Sequence, residues 1–126
     1  MCRINGRTVV YTPRETIKYE NLVKASYKAA SRAFFDRNIS LKISIVAFFP
    51  IPFGVSSRMK ELMLNGTILP TKRPDVDNLA KIILDGLNGV AYRDDAQVCC
   101  IHFEKKYSET PETIVKIKEK NLYEDN

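Results

Sequence analysis

The chain has 126 residues, 44% hydrophobic and 28% charged, which is the composition of an ordinary soluble globular protein with material for one core and not two. No apolar run approaches the ~20 residues that cross a bilayer, and the N-terminus has no hydrophobic signal-peptide core, so no membrane partner and a cytoplasmic setting are expected. The net charge of +5 is uneven: residues 1–37 hold eight Lys/Arg against three acids and the rest holds twelve of each sign, which suits a polyanionic partner.

In chain order, Arg7-Thr8-Val9-Val10-Tyr11 follows Gly6 and is β-prone, a strand or hairpin arm. Thr12-Pro13 then offers an N-cap and a proline at the first helical position, and a helix is expected to run to about Phe35. At about 100° per residue, Tyr19, Leu22, Val23, Tyr27, Ala30 and Phe34 share an apolar face, while Arg14, Lys18, Lys24, Lys28 and Arg32 form a stripe opposite, open to phosphates. The aromatic residues on the first face are read as core, not as base-stacking groups.

Leu41 to Phe49 is a β-branched and aromatic run ended by Pro50-Ile51-Pro52, the clearest strand and an interior one. Residues 53–73, with Gly54, Asn65-Gly66 and Pro70, read as largely irregular, with a short helix from about Ser57 to Leu64. Arg58, Lys60, Lys72 and Arg73 there would suit contact with a nucleic-acid backbone.

A second helix is expected from Asn78 to about Leu87, with Asp77 as N-cap, Leu79, Ile82, Ile83 and Leu87 buried, and Asn78, Lys81 and Asp85 on the other side. Lys81 falls one turn after Asp77, and a helix N-terminus favours an anion beside it. Asn88-Gly89 ends the helix, Tyr92-Arg93-Asp94-Asp95 leads into a strand from about Gln97 to Tyr107, and a last strand covers about Glu112 to Lys118, the two forming a hairpin. Cys2, Cys99 and Cys100 are odd in number, and His102 is the lone histidine, which disfavours a disulfide framework, a zinc cage or a Ser-His-Asp triad.

Crowded carboxylates repel one another unless a cation compensates, and Mg²⁺, a hard ion taking oxygen ligands, is the usual one. Each part has an ordinary explanation: Asp-x-Asp can cap and be solvated, Asp94-Asp95 can be a polar turn, and Lys81 can pair with Asp77 or Asp85 for only ~0.3–0.5 kcal/mol. Their coincidence in one small domain is harder to explain that way.

Asp75-Val76-Asp77-Asn78-Leu79-Ala80-Lys81, followed by Leu84-Asp85-Gly86-Leu87-Asn88-Gly89 and Asp94-Asp95-Ala96-Gln97-Val98, resembles the signature of the RusA-type Holliday junction resolvases, common in phages and prophages. Gly6-Arg7-Thr8, Tyr11-Thr12-Pro13 and Lys105-Lys106-Tyr107 are similar to flanking family features, so the likeness covers nearly the whole chain. The resemblance implies an α/β (α+β) fold, a small mixed β-sheet packed by two main helices in a single domain over residues 1–126, as a homodimer. Family members usually carry a further strand ahead of the Gly-Arg-Thr, and that strand is expected to be lacking here.

The activity implied is Mg²⁺-dependent cleavage of four-way DNA junctions in recombination and repair, with Mn²⁺ as a substitute, leaving a 5′-phosphate and a 3′-hydroxyl. The family's essential carboxylates fall on Asp75, Asp77 and Asp95 and its lysine on Lys81, with Asp94 beside them as a further metal ligand. Arg7, Arg14, Lys18, Lys24, Lys28, Arg32, Lys72 and Arg73 are the expected DNA contacts. Two other readings stay open: a noncatalytic branched-DNA-binding protein, and a metal-dependent nucleotide phosphohydrolase.

Overall fold

The computed structural model describes residues 2–4, 7–9 and 16–120, with side chains from residue 19 onward. In chain order these form β1 (Cys2–Ile4), β2 (Arg7–Val9), α1 (Thr16–Ala30), β3 (Leu41–Pro50), α2 (Ser57–Leu64) and α3 (Val76–Leu87). A single 3₁₀ turn (Asp95–Gln97), β4 (Val98–Ser108) and β5 (Glu112–Glu119) complete them. The strands make one mixed sheet in the order β2-β1-β5-β3-β4, an α+β architecture as expected.

β3 holds the long strands together because its run of apolar residues suits an interior position. It pairs parallel with β4, Ile45 opposite Phe103, and antiparallel with β5, Ile45 opposite Val115. The expected β4–β5 hairpin is therefore incorrect: the two strands follow one another in sequence but β3 lies between them. β2 pairs antiparallel with β1, which pairs parallel with β5. Arg7–Val9 is thus a hairpin arm, and its partner Cys2–Ile4 was not anticipated as a strand.

The period-two pattern of β3 sends Leu41, Ile43, Ile45, Ala47 and Phe49 into the core. They meet Tyr19, Val23 and Tyr27 of α1, Leu79, Ile83 and Leu87 of α3, and Val115 of β5. The apolar stripe expected on α3 is thus buried, with Ile82 half-covered at its edge.

α1 stops at Ala30, short of Phe35, and the start expected at Thr12-Pro13 lies outside the described residues. The Ser31 hydroxyl accepts from Ala33 N–H at 3.0 Å, a local turn that competes with helix continuation. The Tyr27 hydroxyl donates to Ala33 O and fastens the departing chain. Phe34 consequently leaves the helical register and is 43% exposed, not part of the core face assigned to it by periodicity. α2 forms over the residues expected, with the Ser56 hydroxyl accepting from Met59 N–H at 3.2 Å as its N-cap.

Candidate active site

α3 begins earlier than the sequence suggested. Asp75, not Asp77, is its N-cap, and Asp77 lies in the first turn. Both residues are good caps, and the helix takes the first one available after Pro74. The Asp75 side chain makes no capping hydrogen bond, which leaves its carboxylate uncommitted at the positive end of the helix.

Asp75, Asp77, Asn78 and Lys81 are all exposed, the last three on the side of α3 away from the buried Leu79, Ile83 and Leu87. The segment leading into the helix is anchored by Lys105 of β4: its ammonium donates to Lys72 O at 2.5 Å and lies 5.0 Å from the centre of the Phe49 ring. Lys105, a flanking feature in the sequence, thus positions the approach to Asp75.

At its far end α3 is closed by Asn88 and by Gly89, whose φ of +82° is the left-handed conformation that glycine adopts without strain. The chain returns through buried Tyr92, whose hydroxyl donates to Leu84 O at 2.7 Å. This bond ties the acidic turn to α3. Asp94 then caps the 3₁₀ turn: its carboxylate accepts from Ala96 N–H at 3.2 Å, and the Gln97 side chain reaches back to Asp94 N–H at 3.1 Å.

The two neighbouring acids are electrostatically distinct. The Asp94 carboxyl is held below its ordinary value, first by the Ala96 N–H, then by a hydrogen bond shared with Asp95, with the Arg37 charge contributing. Asp95 is pushed up, first by that same bond, then by desolvation and by the charges of Asp94 and Asp85. Tyr92 is raised by burial and by the charges of Asp95, Asp85 and Asp94. Asp85, one turn beyond Lys81 and considered in the sequence as its ion-pair partner, has its charge felt at both Asp95 and Tyr92.

An anion crowded by two others is the situation a cation relieves, and all these donors are carboxylate oxygens, which suit a hard ion. Asp75 and Asp77 offer the same donor type, carboxylate oxygen, while the crowding itself lies among Asp95, Asp94 and Asp85. Among the described residues, no group of three or more His, Cys, Asp or Glu side chains is gathered closely enough to hold a metal ion. Asp94, expected as a further ligand, caps the turn that presents Asp95.

Of the expected DNA contacts, Lys28, Arg32, Lys72 and Arg73 are exposed, and the side chains of Arg7, Arg14 and Lys18 lie outside the described residues. Lys24 is half-buried, its ammonium donating to Asn88 O at 3.2 Å, so this part of the stripe also closes the end of α3. Among the described residues, no helix is long and apolar enough to cross a membrane.

Sequence reasoning did not single out Gln97 or Arg93, which shape the acidic turn, or Arg37 across from it. The Asp94-x-x-Gln97 spacing is that of a capping box and was the available signal for Gln97. No comparable pattern marked the arginines.

The family model described as Endodeoxyribonuclease RusA matches residues 2–118 of this small α+β domain. The chain belongs to the RusA family. It is also 38% identical over 81 residues to the uncharacterized protein YqaN of Bacillus subtilis (strain 168), a match covering 63% of this chain and 57% of that protein. The chain thus spans a little over half the length of that curated relative. No solved structure matches it.

Proposed function

We propose that this chain is a Mg²⁺-dependent endodeoxyribonuclease that resolves four-way DNA junctions by paired phosphodiester hydrolysis, serving recombination and repair. One observation carries the reading: in a chain matching the RusA family over residues 2–118, Asp75 caps α3 and is exposed, and exposed Asp77 and Lys81 follow it one helical turn apart.

Asp75, Asp77 and Asp95 would hold the ion, with Mn²⁺ as a substitute. When bound, it supplies Lewis acidity toward the phosphate and lowers the pKa of water. The N–H groups of the first turn of α3 attract the anionic phosphate, and Lys81, one turn on from Asp77, offsets charge that builds on its oxygens. Asp94 keeps Asp95 in place through the 3₁₀ turn. Water adds at phosphorus and the bond to the 3′ oxygen breaks, leaving a 5′-phosphate and a 3′-hydroxyl. Two strands must be cut to resolve a junction, so a twofold homodimer matches the substrate's near-twofold symmetry. Exposed Lys28, Arg32, Lys72 and Arg73 contact phosphates, with Arg7, Arg14, Lys18 and Lys24 extending the basic surface.

The test incubates the protein with a synthetic four-way junction, a linear duplex and free nucleotides, in Mg²⁺, in Mn²⁺ and in EDTA. Paired, metal-dependent cuts confined to the junction are expected, with a loss of at least about a hundredfold in Asp77→Asn and junction binding retained. Equal cutting of linear duplex, hydrolysis of nucleotides alone, or binding without cutting in either metal would each overturn the reading.

A further inference from the structure

Beside the acidic turn lies an open cleft of about 590 Å³, lined by Arg37, Asn38, Ser40, Arg93, Asp94 and Gln97 among others. Its two guanidiniums come from segments far apart in the chain, one from the loop after α1 and one from the turn before β4. Charged loops of this kind ordinarily move independently.

Here the two segments are bolted together by one side chain. Gln97 is only 7% exposed. Its amide nitrogen donates to Asp36 O at 2.7 Å, Ile39 O at 3.1 Å and Phe35 O at 3.4 Å. Its amide oxygen accepts from Arg93 N–H at 2.9 Å and Asp94 N–H at 3.1 Å. A second tie, from Phe35 N–H to Ala91 O at 2.9 Å, runs between the same segments. A buried amide is costly unless its donors and acceptor are satisfied, and this one is satisfied wholly by the two loops. The separation of the two loop backbones is thereby fixed.

The arginines themselves are presented to solvent. Arg93 lies over the exposed ring of Phe34, 5.9 Å from its centre, which limits its freedom without neutralising it. Neither guanidinium forms an ion pair with any described residue. Asp94, the lone acid of the cleft lining, is engaged with Ala96 N–H. Two forked cations against one committed carboxylate leave the cleft attractive to anions, next to acids that would otherwise repel DNA. Guanidinium forks match phosphate oxygens better than ammonium groups do.

We propose that Arg37 and Arg93 form a clamp for one backbone phosphodiester of the DNA, adjacent to the phosphate that is cut, at a spacing set by Gln97. This rests on the nuclease reading for its substrate. The clamp gives the acidic turn a fixed register on the strand.

The test measures binding of a labelled four-way junction in EDTA across a salt series for the wild type, Arg37→Ala, Arg93→Ala, the double variant, Arg93→Lys and Gln97→Met. Each alanine variant should weaken binding roughly tenfold. The double variant should lose less than the product of the two, since both contact one phosphate. Its slope of log affinity against log salt should be shallower by about one. Gln97→Met removes no charge, yet should weaken binding as the arginine variants do while keeping a cooperative thermal transition. If it fails to fold, Arg93→Lys decides instead, since it keeps the charge and loses the fork and should weaken binding severalfold. Arginine variants within twofold of the wild type, with an unchanged salt slope, would overturn the clamp. A wild type that binds DNA without cutting it removes the nuclease reading and leaves the clamp to the salt slopes; one that binds no DNA removes both.

Discussion

Gly86 sits on α3 where it crosses α1, and the absence of a side chain is what allows the approach. A Cβ built there would meet Val23 Cβ at 2.8 Å, Val23 Cγ1 at 2.9 Å and the Glu20 carbonyl oxygen at 3.0 Å. Alanine in a helix interior normally gains ~1 kcal/mol over glycine, but forced overpacking costs ~1–3 kcal/mol. Gly86→Ala is therefore expected to lower stability by roughly 1–2 kcal/mol in denaturant unfolding. Val23→Ala should not rescue it, because the Val23 Cβ position and the Glu20 carbonyl remain. A gain in stability would show that α1 and α3 can separate freely. The collision that explains Gly86 depends on Val23, which is distant in sequence and which only the packing of α1 on α3 brings near. Gln97 was similarly hard to read, since glutamine is usually solvated and its role depends on carbonyls contributed by residues 35–39.

Among the elements, α3 was the most legible, because Leu79, Ile83 and Leu87 recur at helical spacing and all three are buried. α2 also formed over the residues expected, Ser57–Leu64, although its Ser56 cap was not part of that expectation. What misled were places where local preference had two equivalent answers: Asp75 and Asp77 cap equally well, and helical periodicity continues past Ala30 although the Ser31 turn ends the helix.

The turn that follows α3 makes its own prediction. Tyr92 is buried and donates to Leu84 O, and burial, then the charges of Asp95, Asp85 and Asp94, hold its proton on well beyond the ordinary value of 10.0. In the unfolded chain the phenol ionises at that ordinary value. Above about pH 10 the folded state therefore binds more protons, and stability falls as pH rises. Below that pH the group contributes no slope. Tyr92→Phe should flatten the alkaline loss in part, Tyr27 being raised by burial in the same direction, and should cost ~0.5–1.5 kcal/mol at neutral pH for the lost hydrogen bond, since Leu84 O still accepts from Asn88 N–H. Thermal unfolding of the two proteins from pH 7 to 11 tests both parts, and identical alkaline slopes would contradict the assignment.

Taken whole, the sheet is joined through β5, which pairs with β1 on one side and β3 on the other. Truncation after Thr110 would remove that link together with the fully buried Val115, leaving β1–β2 no partner in the rest of the sheet. Such a chain is expected to lose its cooperative calorimetric transition, whereas a retained transition would mean that α1, α3, β3 and β4 suffice as a folding unit. The α+β class and the interior place of β3 could be read from its apolar run. The strand order could not, because the turn at Ser108 to Pro111 looks like a hairpin turn and nothing local records that β3 lies between its two arms.

That strand order also bears on how the chain is made. β3 leaves the ribosome before either of its neighbours in the sheet, and some fifty residues separate its end from the start of β4. Until β4 and β5 arrive, a ten-residue strand dominated by Ile, Val and Phe has both hydrogen-bonding edges open. Nascent chains held at this stage are the ones most able to pair with each other, and they are the species a chaperone would need to shield.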